Sequence, residues 1–375
     1  MEAVVKKAIS RAQNGPYLAE TPKNRPISKE DEAILKLIEE TQARIRVVGC
    51  GGGGCNTIDR MTEVGIHGAE TVALNTDAQD LVETAADRKL LIGKQLTRGL
   101  GAGSDPAVGE AAAKESLEEL KEIMSHSDLV FITCGMGGGT GTGSAPVVAE
   151  LSKNMKALTI AVVTLPFTAE GRKRMENAML GLEAIRKHSD TIIIIPNDKI
   201  LEIAPDLPIN AAFKVADEVL TNAVKGITEL VTKPGLINLD FADLRTILSN
   251  GGAAMIGLGE STADGNSETR ALEAVENALT SPLLDVDISQ ADRALVNVSG
   301  GMDMTLREAE MIVETVATKI HPNAHIIWGA MIDNDAPRNQ IQAMVVIAGG
   351  NFPFLEGEES PRNRNVPIDL GIKFS

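Results

Sequence analysis

Gly135-Met-Gly-Gly-Gly-Thr-Gly-Thr-Gly-Ser-Ala-Pro146 is the part of the sequence that most restricts the possible folds. It follows the apolar run Asp128-Leu-Val-Phe-Ile-Thr-Cys134, and it leads into Ala145–Leu151, so the order predicts a strand, a glycine turn and a helix start. Glycines let consecutive backbone N–H groups converge on phosphate oxygens, and the first turn of a helix adds unpaired donors. Pro146 fits an early helical position. The pattern therefore predicts a phosphate-binding site.

A second glycine run, Gly49-Cys-Gly-Gly-Gly-Gly-Cys-Asn-Thr57, follows the first apolar strand. Gly49, Gly51 and Gly54 match G-x-G-x-x-G, and Asp77 ends the next strand, where a dinucleotide fold places its ribose-binding carboxylate. Alone, this motif would favour a dinucleotide-dependent oxidoreductase. A dinucleotide site needs only one such turn, however, and the chain lacks the G-x-x-x-x-G-K-[ST] of the ordinary P-loop. Two glycine runs favour another kind of nucleotide site.

The composition is that of a globular protein with more than one domain. Its 375 residues predict two to three domains, and 43% hydrophobic residues suffice for buried cores. A formal net charge of -16 argues against nucleic acid and anionic membrane as partners, because both attract clustered Lys and Arg. We find no apolar run of roughly 18 residues and no signal peptide, so we expect a cytoplasmic protein without direct membrane insertion.

The cysteines and histidines do not have the spacing of a metal site. Cys50, Cys55 and Cys134 are odd in number and form no C-x-x-C pair, which favours a reducing compartment and three small buried side chains. His321 and His325 are four residues apart, but a proline between them breaks any shared helix face. We therefore expect no histidine metal site.

Short apolar runs alternate with helical stretches after residue 43 and predict a doubly wound α/β domain at 43–205. The runs are continuous, which is typical of parallel strands covered on both faces. An N-terminal arm with one helix, at 1–42, precedes the domain. The predicted strands are Ile45–Val48, Thr71–Leu74, Leu129–Thr133, Leu158–Thr164 and Thr191–Ile195.

A long amphipathic pattern then predicts a central connecting helix at 206–233. Residues 234–350 predict a second, smaller α/β domain with helices at 267–280 and 305–319. A polar, proline-rich tail at 351–375 is predicted to be disordered. The predicted strands of the second domain are Ala254–Gly257, Ala294–Val298, His325–Trp328 and Ala343–Ile347.

The glycine runs carry a resemblance to one family of nucleotide-binding proteins. Gly137-Gly-Gly-Thr-Gly-Thr-Gly143 is similar to the signature loop of tubulin, and the surrounding sequence resembles the FtsZ family of cell-division GTPases. Over residues 43–350 the family's segments arrive in order: Gly49–Asn56, Asn75–Gln79, Arg98–Gly103, Pro166–Phe167, Glu170–Arg174, Ile195–Asp198 and Asn238–Asp243. The resemblance implies a tubulin-like fold, GTP and GDP as ligands, Mg²⁺ held through the nucleotide phosphates, and GTPase activity.

The resemblance also implies which residues line the phosphates. The second glycine run would contact the α and β phosphates, the signature loop the β and γ phosphates, and a turn near residue 102 would close over the γ end. These positions are Gly52, Gly53, Gly54, Asn56, Thr57, Ala102, Gly103, Gly137, Gly138, Gly139, Thr140, Gly141, Thr142 and Gly143.

The ribose and base contacts follow from the same resemblance. Glu170 and Arg174 are similar to the family's ribose and phosphate contacts. Asn197 and Asp217 would read guanine, and Phe213 would stack on the base. A carboxylate at 217 can accept hydrogen bonds from guanine N1–H and the 2-amino group, which adenine does not offer. Without the motif series, Asp217 would be read as an exposed charge on a helix.

Gly235–Asp243 could supply the group that orients an attacking water, which the glycine runs lack. Asp240 and Asp243 are three residues apart and would share one face of a helix start, with Asn238 just before them. A helix cap with a first-turn acid is the alternative. The central helix, roughly 35 Å long, carries the segment away from its own nucleotide. The resemblance implies that it completes the next subunit's site, and such head-to-tail contacts generate filaments.

The resemblance implies a filament of this chain in a cytoplasmic ring at midcell. The apolar peptide at 366–374 would bind a membrane-anchoring division protein, with an inert tail as the alternative. A dinucleotide-dependent oxidoreductase, a non-hydrolysing regulator and a filament-forming paralogue outside division remain rival interpretations.

Overall fold

Ten strands form one sheet within the part of the chain that the structure describes. The structure, a computed structural model, describes residues 43–349 except 204, 234, 238, 262–266, 285–286 and 334–338. The strand order is β3-β2-β1-β4-β5-β6-β7-β10-β8-β9. The predicted arm at 1–42 and tail at 351–375 lie outside the described residues.

The first six strands are parallel, as their continuous apolar character predicts. They are β1 (Ile45–Cys50), β2 (Ala69–Asn75), β3 (Arg88–Leu91), β4 (Leu129–Gly135), β5 (Leu158–Leu165) and β6 (Thr191–Pro196). β1 lies between β2 and β4, so the strand order reverses there. In a doubly wound sheet, ligands bind at the carboxyl ends of the strands beside such a switch point. Both glycine runs follow strands that flank this point.

Helices cover both faces of this part of the sheet and bury one apolar core on each face. They are α1 (Gly51–Val64), α2 (Ala78–Glu83), α3 (Lys94–Thr97), α4 (Pro106–Glu115), α5 (Leu117–Met124), α6 (Thr140–Asn154), α7 (Arg172–Arg186) and α8 (Asn197–Ile203). A 3₁₀ turn, Thr168–Glu170, precedes α7. The three cysteines are buried among these elements, as predicted for small apolar side chains.

The predicted central helix is α9, which spans Ile209–Thr232. Its 24 residues make it about 36 Å long. Ala216, Leu220, Val224 and Ile227 are buried along one stripe, which packs against α1 and the sheet. A short helix, α10 (Phe241–Leu248), follows it in the chain.

The last four strands continue the same sheet. They are β7 (Gly252–Glu260), β8 (Arg293–Gly300), β9 (His325–Ile332) and β10 (Ile341–Ala348), and α11 (Ser267–Leu279) and α12 (Leu306–Lys319) pack against them. β10 is antiparallel to β7 and β8, whereas β9 is parallel to β8. β6 and β7 pair in parallel from Thr191↔Gly252 to Ile193↔Ala254. The two predicted α/β parts therefore share a backbone ladder, while the exact domain boundaries stay predictions.

Candidate active site

Both glycine runs lead into helices. α1 begins at Gly51, directly after β1, whereas residues 136–139 form the predicted turn between β4 and the start of α6 at Thr140. The expectation that Pro146 lies early in its helix is wrong, because Pro146 lies inside α6. The small residues from Thr140 to Gly143 allow α6 to begin six residues before Pro146. Neither helix has a side-chain cap, so the unpaired N–H groups of both first turns remain suited to an anion.

The two helix starts pack backbone to backbone, which explains why they need glycine. Gly51 has φ +70°, and a Cβ added there would lie 2.6 Å from the Gly141 nitrogen. A Cβ on Gly54 would lie 2.6 Å from the carbonyl oxygen of Thr133. These separations are too short for any other side chain. The first turns of α1 and α6 therefore lie side by side at one edge of the sheet.

Exposure separates the glycines that can meet a ligand from those that only pack. Gly52, Gly53 and Asn56 are exposed on α1, and Gly138 is partly exposed before α6. A Cβ on Gly143 would lie 2.0 Å from the carbonyl oxygen of Pro106, so Gly143 makes room for α4. The buried glycines bring backbone elements together, and the exposed ones border the edge where an anion would bind.

The turn predicted to close over the γ phosphate packs directly on the signature run. A Cβ on Gly139 would lie 2.9 Å from the Cβ of Ala102. Asn177, only 5% exposed on α7, donates from Nδ2 to the carbonyl oxygens of Ser104 at 3.2 Å and Gly137 at 3.5 Å. Asn177 was not among the predicted site residues, because nothing in its local pattern sets it apart from other core-facing helix positions.

Three threonine hydroxyls stabilise the shape of these turns. The Oγ1 atoms of Thr76 and Thr140 lie 2.6 Å apart, which joins the end of β2 to the start of α6. Thr142 Oγ1 accepts a hydrogen bond from the Gly137 backbone N–H at 2.9 Å. Such internal bonds fix the backbone donors before any ligand arrives. Thr76 was not among the predicted site residues.

Phe213 and Asp217 lie one turn apart on α9 at the predicted base end of the site. The Phe213 ring is 38% exposed and packs edge-on against buried Phe167, with ring centroids 5.1 Å apart at 85°. The hydroxyl of Thr57 donates to Asp217 Oδ1 at 3.2 Å. Burial raises the pKa of Asp217 to about 6, and the Thr57 hydrogen bond opposes that rise. An exposed aromatic face thus lies beside a half-buried carboxyl.

Glu170 and Arg174 connect the base end to the signature run. Glu170 Oε1 accepts the Phe167 backbone N–H at 2.8 Å, and its Oε2 lies 2.7 Å from Arg174 Nη1. A Cβ on Gly137 would lie 2.6 Å from the carbonyl oxygen of Arg174, so this residue adjoins the start of the glycine cradle. A chain of contacts therefore joins both glycine runs, Arg174, Glu170, and the aromatic pair.

Asn197 begins α8 and is 4% exposed. Its Oδ1 has no hydrogen-bond partner within the described part of the chain. Asp198 beside it accepts a hydrogen bond from the Thr168 backbone N–H at 3.0 Å, which holds the Asn197 turn next to the Phe167 turn. A buried acceptor without a partner is costly, so Asn197 fits a ligand that carries N–H donors. Guanine offers such donors.

Asp240 and Asp243 lie at the opposite edge of the sheet. Asp240 caps α10 and its Oδ1 accepts the Asp243 backbone N–H at 2.7 Å, and both side chains are exposed. Thr232 ends α9 and donates to the carbonyl oxygen of His67, just before β2 begins. The Thr191 hydroxyl, at the start of β6, donates to the carbonyl oxygen of Leu248 in α10.

The acidic segment therefore lies near the amino ends of the strands, while the glycine cradle lies at their carboxyl ends. The two predicted carboxylates share a helix start, as expected, but they do not reach the nucleotide cradle of their own chain. Asn238 lies outside the described residues. Over the described ranges, no group of three or more His, Cys, Asp or Glu side chains is placed to hold a metal ion.

A glycine cradle at the carboxyl edge of a doubly wound sheet, bordered by an aromatic and amide base end, defines a nucleotide-binding protein. The long helix and the second, mixed part of the sheet distinguish it from ordinary P-loop proteins and from dinucleotide dehydrogenases. Within the helices that the structure describes, none is long and apolar enough to cross a membrane.

Comparison with known proteins identifies the family. The model of the Tubulin/FtsZ family GTPase domain matches residues 44–205, and that of the FtsZ family C-terminal domain matches residues 252–351. Cell division protein FtsZ 1 of Thermococcus kodakarensis is 56% identical, covering 99% of each chain. That of Methanocaldococcus jannaschii is 60% identical over 86% of this chain and 87% of its own. The chain belongs to the Tubulin/FtsZ family of GTPases.

The solved structures agree with this assignment. An empty FtsZ dimer from M. jannaschii has a TM-score of 0.81 and 60% identity, covering 86% of this chain and 92% of that one. The predicted tubulin-like fold, the GTPase activity and the relationship to cell-division proteins are thereby confirmed. The oxidoreductase interpretation is not favoured. The regions that would have to form its dinucleotide domain and its substrate domain match the Tubulin/FtsZ GTPase domain and the FtsZ C-terminal domain instead.

Proposed function

We propose that the chain assembles head to tail and hydrolyses GTP at the contact between successive subunits. The opposite placement of the two halves of the site carries this proposal. The glycine cradle lies at the carboxyl edge of the sheet, and Asp240 and Asp243 lie at the amino edge, separated along α9 by about 36 Å. A translation that stacks one copy on the next brings these edges together. Such a contact does not close on itself and so builds a filament.

In this arrangement each residue has a defined task. The N–H groups at the starts of α1 and α6 bind the phosphates and stabilise the charge that develops on them. Asn197 and Asp217 read the guanine edge, Phe213 covers the base, and Glu170 with Arg174 contacts the ribose and phosphate. Mg²⁺ would be held by the nucleotide phosphates and would neutralise part of their charge.

The incoming acidic segment would position the water. Asp240 and Asp243, together with Asn238, would hold a water in line with the γ phosphate of the neighbouring subunit. Asp240 already accepts the Asp243 N–H, so its orientation is fixed before assembly. Exposure of both carboxylates in the single chain is what a group that acts on a neighbour requires. The γ phosphate would favour the contact between neighbouring subunits, so its release on hydrolysis would weaken that contact.

We propose Asn177 as a positioning residue for the γ end. Its amide joins the turn at Ser104 to Gly137 of the signature run. Ser104 has φ +62°, a conformation that needs support from its surroundings. The amide would hold this turn ready to meet the γ phosphate.

The similarity to cell-division proteins supports a proposal for the cellular role in general terms. We propose a ring of these filaments in the cytoplasm at midcell, linked to the membrane by a division protein that binds residues 366–374. These residues lie outside the described part of the chain. An alternating apolar peptide tethered by a polar segment suits capture by a partner groove.

Asp243→Ala tests the proposed mechanism. The variant should bind GTP and form filaments, because its nucleotide cradle is intact, and its phosphate release should fall by about 100-fold or more. GTP-dependent sedimentation and phosphate release measure the two properties on one sample. Hydrolysis at the parent rate would exclude a catalytic role for this carboxylate. Thr246→Ala, on the same helix and exposed, is the matched control.

A further inference from the structure

β9 is the outer strand at one end of the ten-stranded sheet, and apart from Ala330 its outer edge presents backbone groups that have no partner among the described residues. Within the described residues, the contacts on this edge are at Ala330, whose N–H donates to Ile237 and whose carbonyl accepts from Leu236 at 2.8 Å and Ile237 at 3.2 Å. Ala330 therefore points its backbone outward. Because the direction alternates along a strand, Ile326 and Trp328 also point their N–H and C=O groups outward.

The side chains of this stretch are apolar and only partly covered. Ile326 and Trp328 pack against one core and Ile327 packs against the other, and all three are partly exposed. An added strand would extend an apolar layer on either face. Open, apolar edges of this kind recruit further strands unless charge or proline protects them.

The end of the chain has the pattern of a strand. In Val366-Pro-Ile-Asp-Leu-Gly-Ile-Lys-Phe374, every second residue is apolar from Val366 to Phe374. Strict alternation over this length is typical of a strand with one apolar face. Pro367 occupies one of the alternate, non-apolar positions. In an added strand the backbone nitrogens of these positions would face away from the sheet, so the N–H that proline lacks would not be needed for pairing.

The chain leaves the sheet beside the start of β9. Ala348 ends β10 opposite Arg293, and Arg293 pairs with His325, the first residue of β9. The exit is thus two strand spacings, about 10 Å, from the open edge. Gly349, with φ +75°, lies against Asp292, whose carbonyl accepts the His325 N–H at 2.8 Å. Residues 350–365 can span about 50 Å, which is ample.

We propose that residues 366–374 add to the outer edge of β9 in the same molecule, pairing with Ile326 and Trp328. The added strand would end next to Leu236 and Ile237, which occupy the following outward position and lead into Asp240. Ile326 and Trp328 are the two outward residues of β9 before Ala330, so the docking is weak and depends on the tether. A partner protein that binds residues 366–374 would then have to displace them from the edge of β9. The proposal is independent of the GTPase mechanism.

Amide hydrogen exchange tests the pairing residue by residue. The full chain is compared with a chain that ends at residue 365, both with GDP and at a concentration below assembly. If the docked state is about 90% populated, the amides of Ile326 and Trp328 exchange about tenfold more slowly in the full chain. The amide of Ile327 points toward β8 and should not change. Equal exchange of Ile326 and Trp328 in the two chains would overturn the proposal.

Two variants keep the result from resting on the deletion alone. Leu370→Asp interrupts the apolar face and should abolish the protection, whereas Asp369→Asn, on the opposite face, should keep it. Trp328 is the only tryptophan in the chain, so its emission should shift to longer wavelength in the Leu370→Asp variant and not in Asp369→Asn. Protection that grows with protein concentration would mean pairing between copies and would also overturn the proposal.

Discussion

The proposed contact of Asp217 with guanine would make nucleotide binding depend on pH, and the raised pKa of this carboxyl sets the expected size of the effect. Its pKa is raised to about 6 by burial. Only the ionised carboxyl can accept hydrogen bonds from both guanine donors, so protonation removes the competent form. The apparent Kd for GDP should therefore be about 11-fold weaker at pH 5 than at high pH, and about 1.1-fold weaker at pH 7. Calorimetric titration with GDP over this range measures it.

Two variants separate this effect from titration of the nucleotide phosphates. Asp217→Asn cannot titrate, so its residual pH dependence belongs to the phosphates and is subtracted. Thr57→Val removes the hydroxyl that lowers the pKa of Asp217, so its binding midpoint should move to higher pH. The same pH dependence of GDP affinity in the parent and in Asp217→Asn would refute the guanine assignment.

The same pKa has an opposite consequence for the ligand-free protein. The folded chain holds the Asp217 proton up to about pH 6, whereas an unfolded aspartate releases it near pH 4. Between these values the folded state binds more protons, so stability falls as pH rises through that window. GDP should reverse this trend, because it binds the ionised form. Thermal unfolding measured between about pH 4 and pH 6, with and without GDP, shows whether the two pH trends in stability are opposite.

The remaining predictions concern the glycine cradle and the γ end. Gly141→Ala should destabilise the protein by about 1–3 kcal/mol, since its Cβ would lie 2.7 Å from the carbonyl oxygen of Cys50. Gly52→Ala should stay within about 1 kcal/mol of the parent, because its Cβ would meet only the Asp80 carboxylate at 3.3 Å; equal unfolding midpoints for the two would contradict the packing argument. Asn177→Ala should weaken GTP more than GDP, and an equal loss for both nucleotides would indicate general loosening instead.

Much of the fold follows from the sequence because its strands are continuous apolar runs. Each predicted strand lies within an observed one, and the central helix was placed to within a few residues. β3 was missed, since its short sequence begins with Arg88 and Lys89 and lies at the sheet edge. The β6–β7 pairing was also missed, because a ladder between distant segments leaves no local pattern.

Some site residues could likewise be predicted from local sequence motifs, whereas others depend on contacts between residues that are distant in sequence. The glycine runs predict a phosphate cradle, because few other structures need so many glycines after a buried strand. Pro146 misled the helix boundary, since a proline at an early position is only a statistical preference. Asn177 and Thr76 act through contacts with residues remote in sequence, so their roles need the folded chain.

Complementation between two variants tests whether each active site is shared between neighbouring subunits. Asp217→Asn keeps Asp240 and Asp243, but its amide suits xanthine, which carries an oxygen where guanine carries the 2-amino group. Asp243→Ala should bind GTP but lacks the carboxylate that we propose to be catalytic. The measurement is phosphate release from labelled GTP in an equal mixture of the two, with XTP present to fill the Asp217→Asn subunits.

In a random filament, roughly half of the GTP-loaded Asp243→Ala subunits face an intact acidic segment on the neighbour. If active sites are shared, GTP hydrolysis in the mixture should be well above the sum of the two variants measured separately. Hydrolysis no greater than that sum, in a mixture that sediments as filaments with both nucleotides, would contradict it.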